Sequence, residues 1–325
     1  IRTAEQIEII YGPGSTLYGQ DAISAVINVK TQGNPTPGQT TAQGGIEGGL
    51  HEERETWFSF AKSFDTEIPI SLSGYFQYHD SDLTNLAREY SGWYKDFRDV
   101  GEPRGAGPEA DRRDYGINAF AKLDVGDVTF QTWYRESERS SSEGYGPPTL
   151  LYVPEAAWRD RSWVSEVQHT WEITDTVTLN SSAIYNWYEV DPVSRYVFPR
   201  DENSLFLDDY KYADGKSFTI EETLLIDFSE NVAGILGGTY NWYSIVPKST
   251  IPGRARPGSH SDIVRQGGNF VYFTEPGDPS SRNEIPRAVE VDFQRYGGYA
   301  ELGWQITPDL KVIGGVRVDK DTRID

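Results

Sequence analysis

The chain has no cysteine and no methionine. Without cysteine there is no disulfide framework, no thiolate metal site and no cysteine nucleophile. Without methionine the stretch does not start at an initiator residue, and with no signal peptide ahead of Ile1 it reads as a fragment entered in mid-domain. Histidine is scarce: His51, His79, His169 and His260 are the whole set, and no two have metal-ligand spacing. Basic residues are outnumbered, 30 Lys and Arg against 50 Asp and Glu, for a net charge of −20. That balance argues against nucleic acid as a partner, because phosphate neutralisation needs clustered cations. No run approaches the ~18 apolar residues of a transmembrane helix. A membrane barrel stays open, since its strands alternate lipid-facing and lumen-facing residues and look soluble on average. The mean hydropathy of −0.58, 32 Gly and 13% aromatic residues fit such a barrel.

Catalytic patterns are missing too. Gly12-Pro13-Gly14-Ser15 is followed by no GK[ST] and lacks the spacing of a nucleophile elbow. Ser140-Ser141-Ser142 is a polar loop, and Glu53 and Glu55 read as solvated turn acids. The chain is therefore not expected to be an enzyme, and no cofactor is expected.

What is present is alternation. Ile68, Ile70, Leu72, Gly74, Phe76 and Tyr78 share one face of a strand, with Ser71, Ser73, Tyr75 and Gln77 on the other. Similar patterns mark 40–50, 55–64, 114–125, 128–135, 163–171, 177–187, 218–228, 232–242, 296–306 and 310–318. That makes about eleven strands, most near the ~9–11 residues that a tilted strand needs to cross a bilayer. Glu222 is a misfit on an apolar face, which points to a bulge there or to a register displaced by one. Every second connection is tight, as at Gly126-Asp127, Thr174-Asp175-Thr176 and Ser229-Glu230-Asn231. Those between are mostly long: 80–113, 136–161, 189–215 and 246–288. A soluble sandwich has no reason to alternate so. An outer-membrane barrel has short turns on its periplasmic side and long loops outside. Tyr134, Trp163, Trp187, Trp242 and Trp304 stand near strand ends, where interfacial aromatic girdles belong.

At the front, Ile7-Glu8-Ile9-Ile10-Tyr11 is a short β-type run broken by Gly12-Pro13-Gly14. Ser15, Leu17-Tyr18-Gly19 and Ala22 follow, and Val26-Ile27-Asn28 resumes the β pattern. This ungapped spacing resembles the end of the plug domain of TonB-dependent outer-membrane receptors. Tyr11 stands where that family usually has Arg, and Ser24-Ala25 where it usually has small residues such as Gly-Gly. The resemblance covers less than a tenth of the chain. It implies an all-β, 22-stranded type of transmembrane barrel of which about half is here, with residues 1–38 the end of the plug and 39–325 the first half of the barrel. The Pro/Gly/Gln linker 31–40 suits that boundary.

The resemblance further implies energy-coupled uptake of a scarce ligand across the outer membrane of a Gram-negative bacterium. Outer-membrane lipid and the TonB–ExbB–ExbD complex would be partners, with the TonB-contacting segment upstream of Ile1. Ferric siderophores are the commonest ligands, with cobalamin, haem and glycans as alternatives. A soluble secreted β-domain that binds or hydrolyses carbohydrate is the competing class; it accounts for the acidity and the aromatics, but not for the turn pattern. Recognition is expected on the long loops, where amphipathic aromatics and arginines gather. The candidates are Tyr90, Trp93, Tyr94 and Arg98, then Tyr145 and Trp158, then Tyr196 and Arg200.

Overall fold

The computed structural model describes residues 4–11, 25–31, 35–49, 53–82, 113–141, 156–197, 208–253, 263–266, 269–273, 282–284 and 291–323. Every regular element among them is a strand. Strands β1 (Ala4–Tyr11) and β2 (Ala25–Thr31) form a separate antiparallel pair, with Ile7 opposite Val29 and Ile9 opposite Ile27. β1 stops at the residue before Gly12-Pro13, where the sequence breaks the pattern.

The main sheet begins with β3 (Thr40–Gly48), β4 (Arg54–Phe64), β5 (Ile70–Asp82), β6 (Arg113–Val125), β7 (Val128–Ser140), β8 (Ala157–Thr174) and β9 (Val177–Val190). The short β10 (Arg195–Val197) leads to β11 (Asp208–Ser229) and β12 (Val232–Gly253). β13 (Ile263–Gln266), β14 (Asn269–Phe273) and β15 (Arg282–Glu284) make a small sheet of their own. β16 (Val291–Thr307) and β17 (Leu310–Asp321) close the series. Eleven long strands pair antiparallel in chain order, and β10 adds to β11 beside them.

All eleven expected strands are present, with differences at their ends. β5 starts at Ile70, not Ile68, because Pro69 has no N–H to give the ladder. Its carbonyl instead accepts from Gly126 N–H at 2.8 Å. Gly126 has φ of 56°, the left-handed conformation that a two-residue hairpin loop requires. β11 starts ten residues before Phe218 and β12 runs eleven past Trp242, with Asp208 opposite Gly253. Asp208 to Ser217 reads DDYKYADGKS, which has no apolar alternation to announce a strand; the ladder to β12 holds it. The expected bulge or register slip at Glu222 is not there. Glu222 lies in unbroken register between Ser181 and Gly238, and β11 shifts register only at Tyr212/Asp214 and Asp227/Ser229.

The alternation sorts the sheet into two faces. On β5, Leu72 and Phe76 are 37% and 46% exposed, whereas Ser71 is 5% exposed and donates to Asp124 at 3.0 Å. The same exposed apolar face continues through Phe130, Val167, Trp171, Leu236, Leu302, Trp304 and Val316. No second layer covers it among the described residues. So broad an apolar surface is unstable in water and suited to hydrocarbon, as on the outside of a membrane barrel. Spin labels at residues 72 and 76, in the bilayer-embedded receptor that carries this chain, should be quenched by a lipid-soluble relaxant. Labels at 71 and 73 should be protected, and equal access at all four would contradict the two-faced sheet.

Candidate functional site

The inner face is polar. Glu166 and Gln168 on β8, Asn180 and Ser182 on β9, Thr219 and Glu221 on β11, Asn241 on β12 and Arg295 on β16 line a concavity of about 610 Å³. Tyr299 crosses it. Its hydroxyl donates to Glu221 Oε1 at 2.9 Å and lies 2.7 Å from Thr223 Oγ1, while the Arg317 guanidinium stands 5.4 Å from its ring. Arg317 also pairs with Asp319 at 2.9 Å. The Tyr299 ring lies directly over Gly237, where any Cβ would collide with it. Sequence reading missed this wall, because single polar residues at alternate positions carry no signal until the register aligns them.

The second feature is at the end of the sheet that carries the long connections. Trp158 and Tyr196 were expected in loops. They lie on β8 and β10, because the ladder runs on past the apolar pattern. The two rings meet with centroids 6.0 Å apart, tilted by 44°. Lys211 Nζ stands 5.6 Å from the Tyr196 ring, and Lys211 is only 8% exposed. Arg139 is in register with Trp158, and Arg135 is in register with Ser162 four residues further along. Alternation puts both arginines on the polar face of β7, together with Trp133. In a chain of net charge −20, the aromatic pair stands near three cations, Lys211, Arg139 and Arg135, with one acid, Asp160, held by Ser137 at 3.3 Å between the register positions of the two arginines. It suits an anionic ligand with flat faces, through ion pairing and cation–π contact.

This rim is built on a knot at the end of β9. Asp191, 1% exposed, accepts from Val193 N–H at 2.9 Å. Its other oxygen pairs with Arg161 at 2.8 Å and Arg159 at 3.8 Å. Ser194 is fully buried; its hydroxyl donates to the Arg159 carbonyl at 3.0 Å, and its own carbonyl accepts from Lys211 N–H at 2.7 Å. Arg159 also binds Glu138 at 2.6 Å, and Arg161 reaches Glu136 at 3.1 Å and Glu189 at 3.4 Å. This network lies beyond the apolar band. The Tyr115 hydroxyl donates to Glu136 Oε1 at 2.9 Å. Burial and then the nearby Asp191 charge raise Glu189, against the pull of Arg161.

Of the other expected site residues, Tyr90, Trp93, Tyr94, Arg98, Tyr145 and Arg200 lie outside the described residues, as do Gly12, Pro13, Ser15, Leu17, Tyr18, Gly19 and Ala22. Val26, Ile27 and Asn28 lie on β2, with Ile27 exposed. Among the described residues no group of three or more His, Cys, Asp or Glu could hold a metal ion.

An antiparallel meander with an apolar outer face, a polar inner face, tight turns at one end and long connections at the other is part of an outer-membrane barrel. The fold is that of the TonB-dependent outer-membrane receptors. The chain superposes on a mutant ferric enterobactin receptor of Pseudomonas aeruginosa with TM-score 0.57 and 16% identity, covering 98% of this chain and 44% of that one. The ferric yersiniabactin uptake receptor of Yersinia pestis gives 0.58 and 15%, with 98% and 44% covered. A copper transporter gives 0.60 and 12%, with 98% and 43% covered. The chain thus spans less than half the length of these structures. In sequence it is 36% identical, over 74 residues, to a vitamin B12 transporter of Vibrio vulnificus, which is 22% of this chain and 12% of that protein. No protein-family model matches. By their names these relatives are receptors and transporters, not enzymes.

Proposed function

We propose that this chain is part of a receptor that takes up an anionic metal chelate, most simply a ferric siderophore, across the outer membrane of a Gram-negative bacterium. The cationic aromatic rim of Trp158, Tyr196, Lys211 and Arg139 carries this reading. The siderophore receptors that share the fold support it. In this reading residues 1–38 end the plug and 39–325 begin the barrel wall. Uptake is driven by the TonB–ExbB–ExbD complex acting on the plug, and the remaining aromatic and arginine residues of the long connections complete the ligand contact. Vitamin B12 is the second reading, because a curated sequence relative, matched over 74 residues, is a vitamin B12 transporter.

The test uses cells bearing the receptor that contains this chain, iron-limited, with radiolabelled ferric enterobactin, ferric yersiniabactin and cyanocobalamin as probes. A ferric siderophore should accumulate, and a protonophore should stop it. Replacing both Trp158 and Tyr196 with Ala should weaken binding at least tenfold, since each aromatic contact in a binding site is worth ~1–2 kcal/mol. Uptake of cyanocobalamin alone would select the second reading. Unchanged binding of the accumulated probe in the double variant would remove the rim from the site.

A further inference from the structure

One row beyond the aromatic girdle, the inner face carries two planar side chains without partners among the described residues. Arg135 on β7, Ser162 on β8, Tyr188 on β9 and Gly215 on β11 are successive cross-strand neighbours. The girdle residues Tyr134, Trp163 and Trp187 make the adjacent row and face outward, so this row faces inward. The side of β9 is fixed by Asn186, whose amide donates to Ser217 Oγ at 3.2 Å two residues before Tyr188. Tyr188 is 45% exposed, and Arg135 is exposed as well. Among the described residues Arg135 has no ion pair and the Tyr188 hydroxyl no hydrogen bond. Arg159, Arg161, Arg295, Arg317 and Arg323, by contrast, are all paired with carboxylates. The charges felt by the Tyr188 hydroxyl are those of Asp160, Arg139 and Arg135.

The spacing of the row makes a slot. Neighbouring strands lie ~4.8 Å apart, so the Cα atoms of Arg135 and Tyr188, two strands from each other, are ~9.5 Å apart. Side chains on a concave face converge from there. Between them stands only Ser162, too short to fill the gap. A flat ring in contact with a plane on either side takes up two carbon contact distances, about 7–8 Å in all. The slot therefore accepts one ring and not two. Guanidinium and phenol both stack on arenes, and the guanidinium also binds negative oxygen. In the next inward row towards the membrane, Trp133 and Val164 are exposed and give the slot an apolar lip. On the far side of Tyr188, Gly215 has no atom within 4 Å of where a Cβ would lie, so the phenol ring has room to adjust.

We propose that Arg135 and Tyr188 clasp one aromatic ring of the transported chelate, so that the receptor takes ferric chelates of catecholate or phenolate type and rejects those of aliphatic hydroxamates. This rests on the uptake of a ferric siderophore proposed above and names the class within it. The slot lies four residues, or ~13 Å along the strands, inward of the position of Trp158. A chelate held at the rim therefore meets it on the way in. Catecholate and phenolate groups present a flat ring bearing a negative oxygen, which suits both walls. A hydroxamate chelate has no ring to insert, and its ferric complex lacks the negative charge that the tris-catecholate complex offers to Arg135.

The experiment measures binding of radiolabelled ferric enterobactin, ferric yersiniabactin and ferrichrome to cells bearing the receptor that contains this chain, per receptor at the cell surface. The first two carry catecholate or phenolate rings, and ferrichrome carries hydroxamates. At least one of the ring-bearing chelates should bind, and ferrichrome in large excess should not displace it. Tyr188→Ala and Arg135→Ala should each weaken that binding about tenfold, the scale on which a stacked ring contributes. Tyr188→Phe keeps the ring and should stay within about twofold of the wild type, which separates loss of the slot from a misassembled barrel. Arg135→Lys keeps the charge without the plane and should not restore binding. Binding of ferrichrome, or unchanged binding of the ring-bearing chelate in Tyr188→Ala, would overturn the slot and leave siderophore uptake standing. Accumulation of cyanocobalamin alone would remove both.

Discussion

Residues 1–325 produced alone and refolded into detergent should give no heat-modifiable monomer. The eleven-strand sheet of this stretch ends at β3 on one side and β17 on the other. β17 spans 12 residues, and half of its backbone donors and acceptors point away from β16. Each such group left unpaired in hydrocarbon costs several kcal/mol, far more in total than a protein's whole stability of about 5–15 kcal/mol. In water the same edges, joined to the broad apolar face, would pair with other copies. The measurement is electrophoretic mobility with and without heating, together with sedimentation. A folded, heat-modifiable monomer would show that the edges are closed in a way the sheet order does not provide.

Replacing Asp191 with Ala should loosen the rim while sparing the barrel. Its carboxylate joins Arg159 and Arg161 on β8 to the turn that launches β10, and it is 1% exposed. Removal leaves Val193 N–H without its acceptor and two arginines with less compensation. Those arginines keep their contacts to Glu138, Glu136 and Glu189 and are partly solvated, so the cost is moderated to about 2–4 kcal/mol. If β10 opens locally, amide exchange at Tyr196 and Val197 should accelerate by roughly 30- to 900-fold, while exchange in β5 and β6 stays unchanged. Ligand affinity should fall with it, because β10 holds Tyr196 against Trp158. Asp191→Asn keeps an acceptor for Val193 and loses the charge. Full recovery in that variant would assign the effect to the turn, and no recovery would assign it to the ion pairs. Unchanged exchange in Asp191→Ala would remove Asp191 from the support of the rim.

The parts legible in the sequence are those where lipid imposes a pattern. Leu72 and Phe76 must face outward and Ser71 must not, so alternation located β5 to within two residues at its start and four at its end. The tight turns were readable for a similar reason, since Gly126-Asp127 has a local geometry that few residues accept. Beyond the apolar band the pattern stops while the strand continues. Asp208 to Ser217 and all of β10 were missed there, held as they are by ladder bonds that any residue but proline can make. Trp158 and Tyr196 were legible as residue types, but their meeting was not, because 38 positions separate them and it takes the pairing of β10 with β11 and the turn at Asp191 and Ser194, bonded to β8, to bring them together. Lys211 carried no signal at all. Glu222 was the converse case: the sequence flagged a violation, and the structure shows that the residue is in place and the face itself is exceptional.

The long hairpin of β11 and β12 sets a height. Each strand has 22 residues. At ~3.3 Å per residue and a tilt of ~40°, such a strand rises about 55 Å, roughly twice the ~25 Å apolar band of an outer-membrane barrel. The surplus stands on the side away from the tight turns. The far ends of the two strands, Asp208 and Gly253, therefore stand some tens of ångströms above the lipid. At that elevation they clear the headgroups, and the rim residues Tyr196 and Lys211 stand there with them.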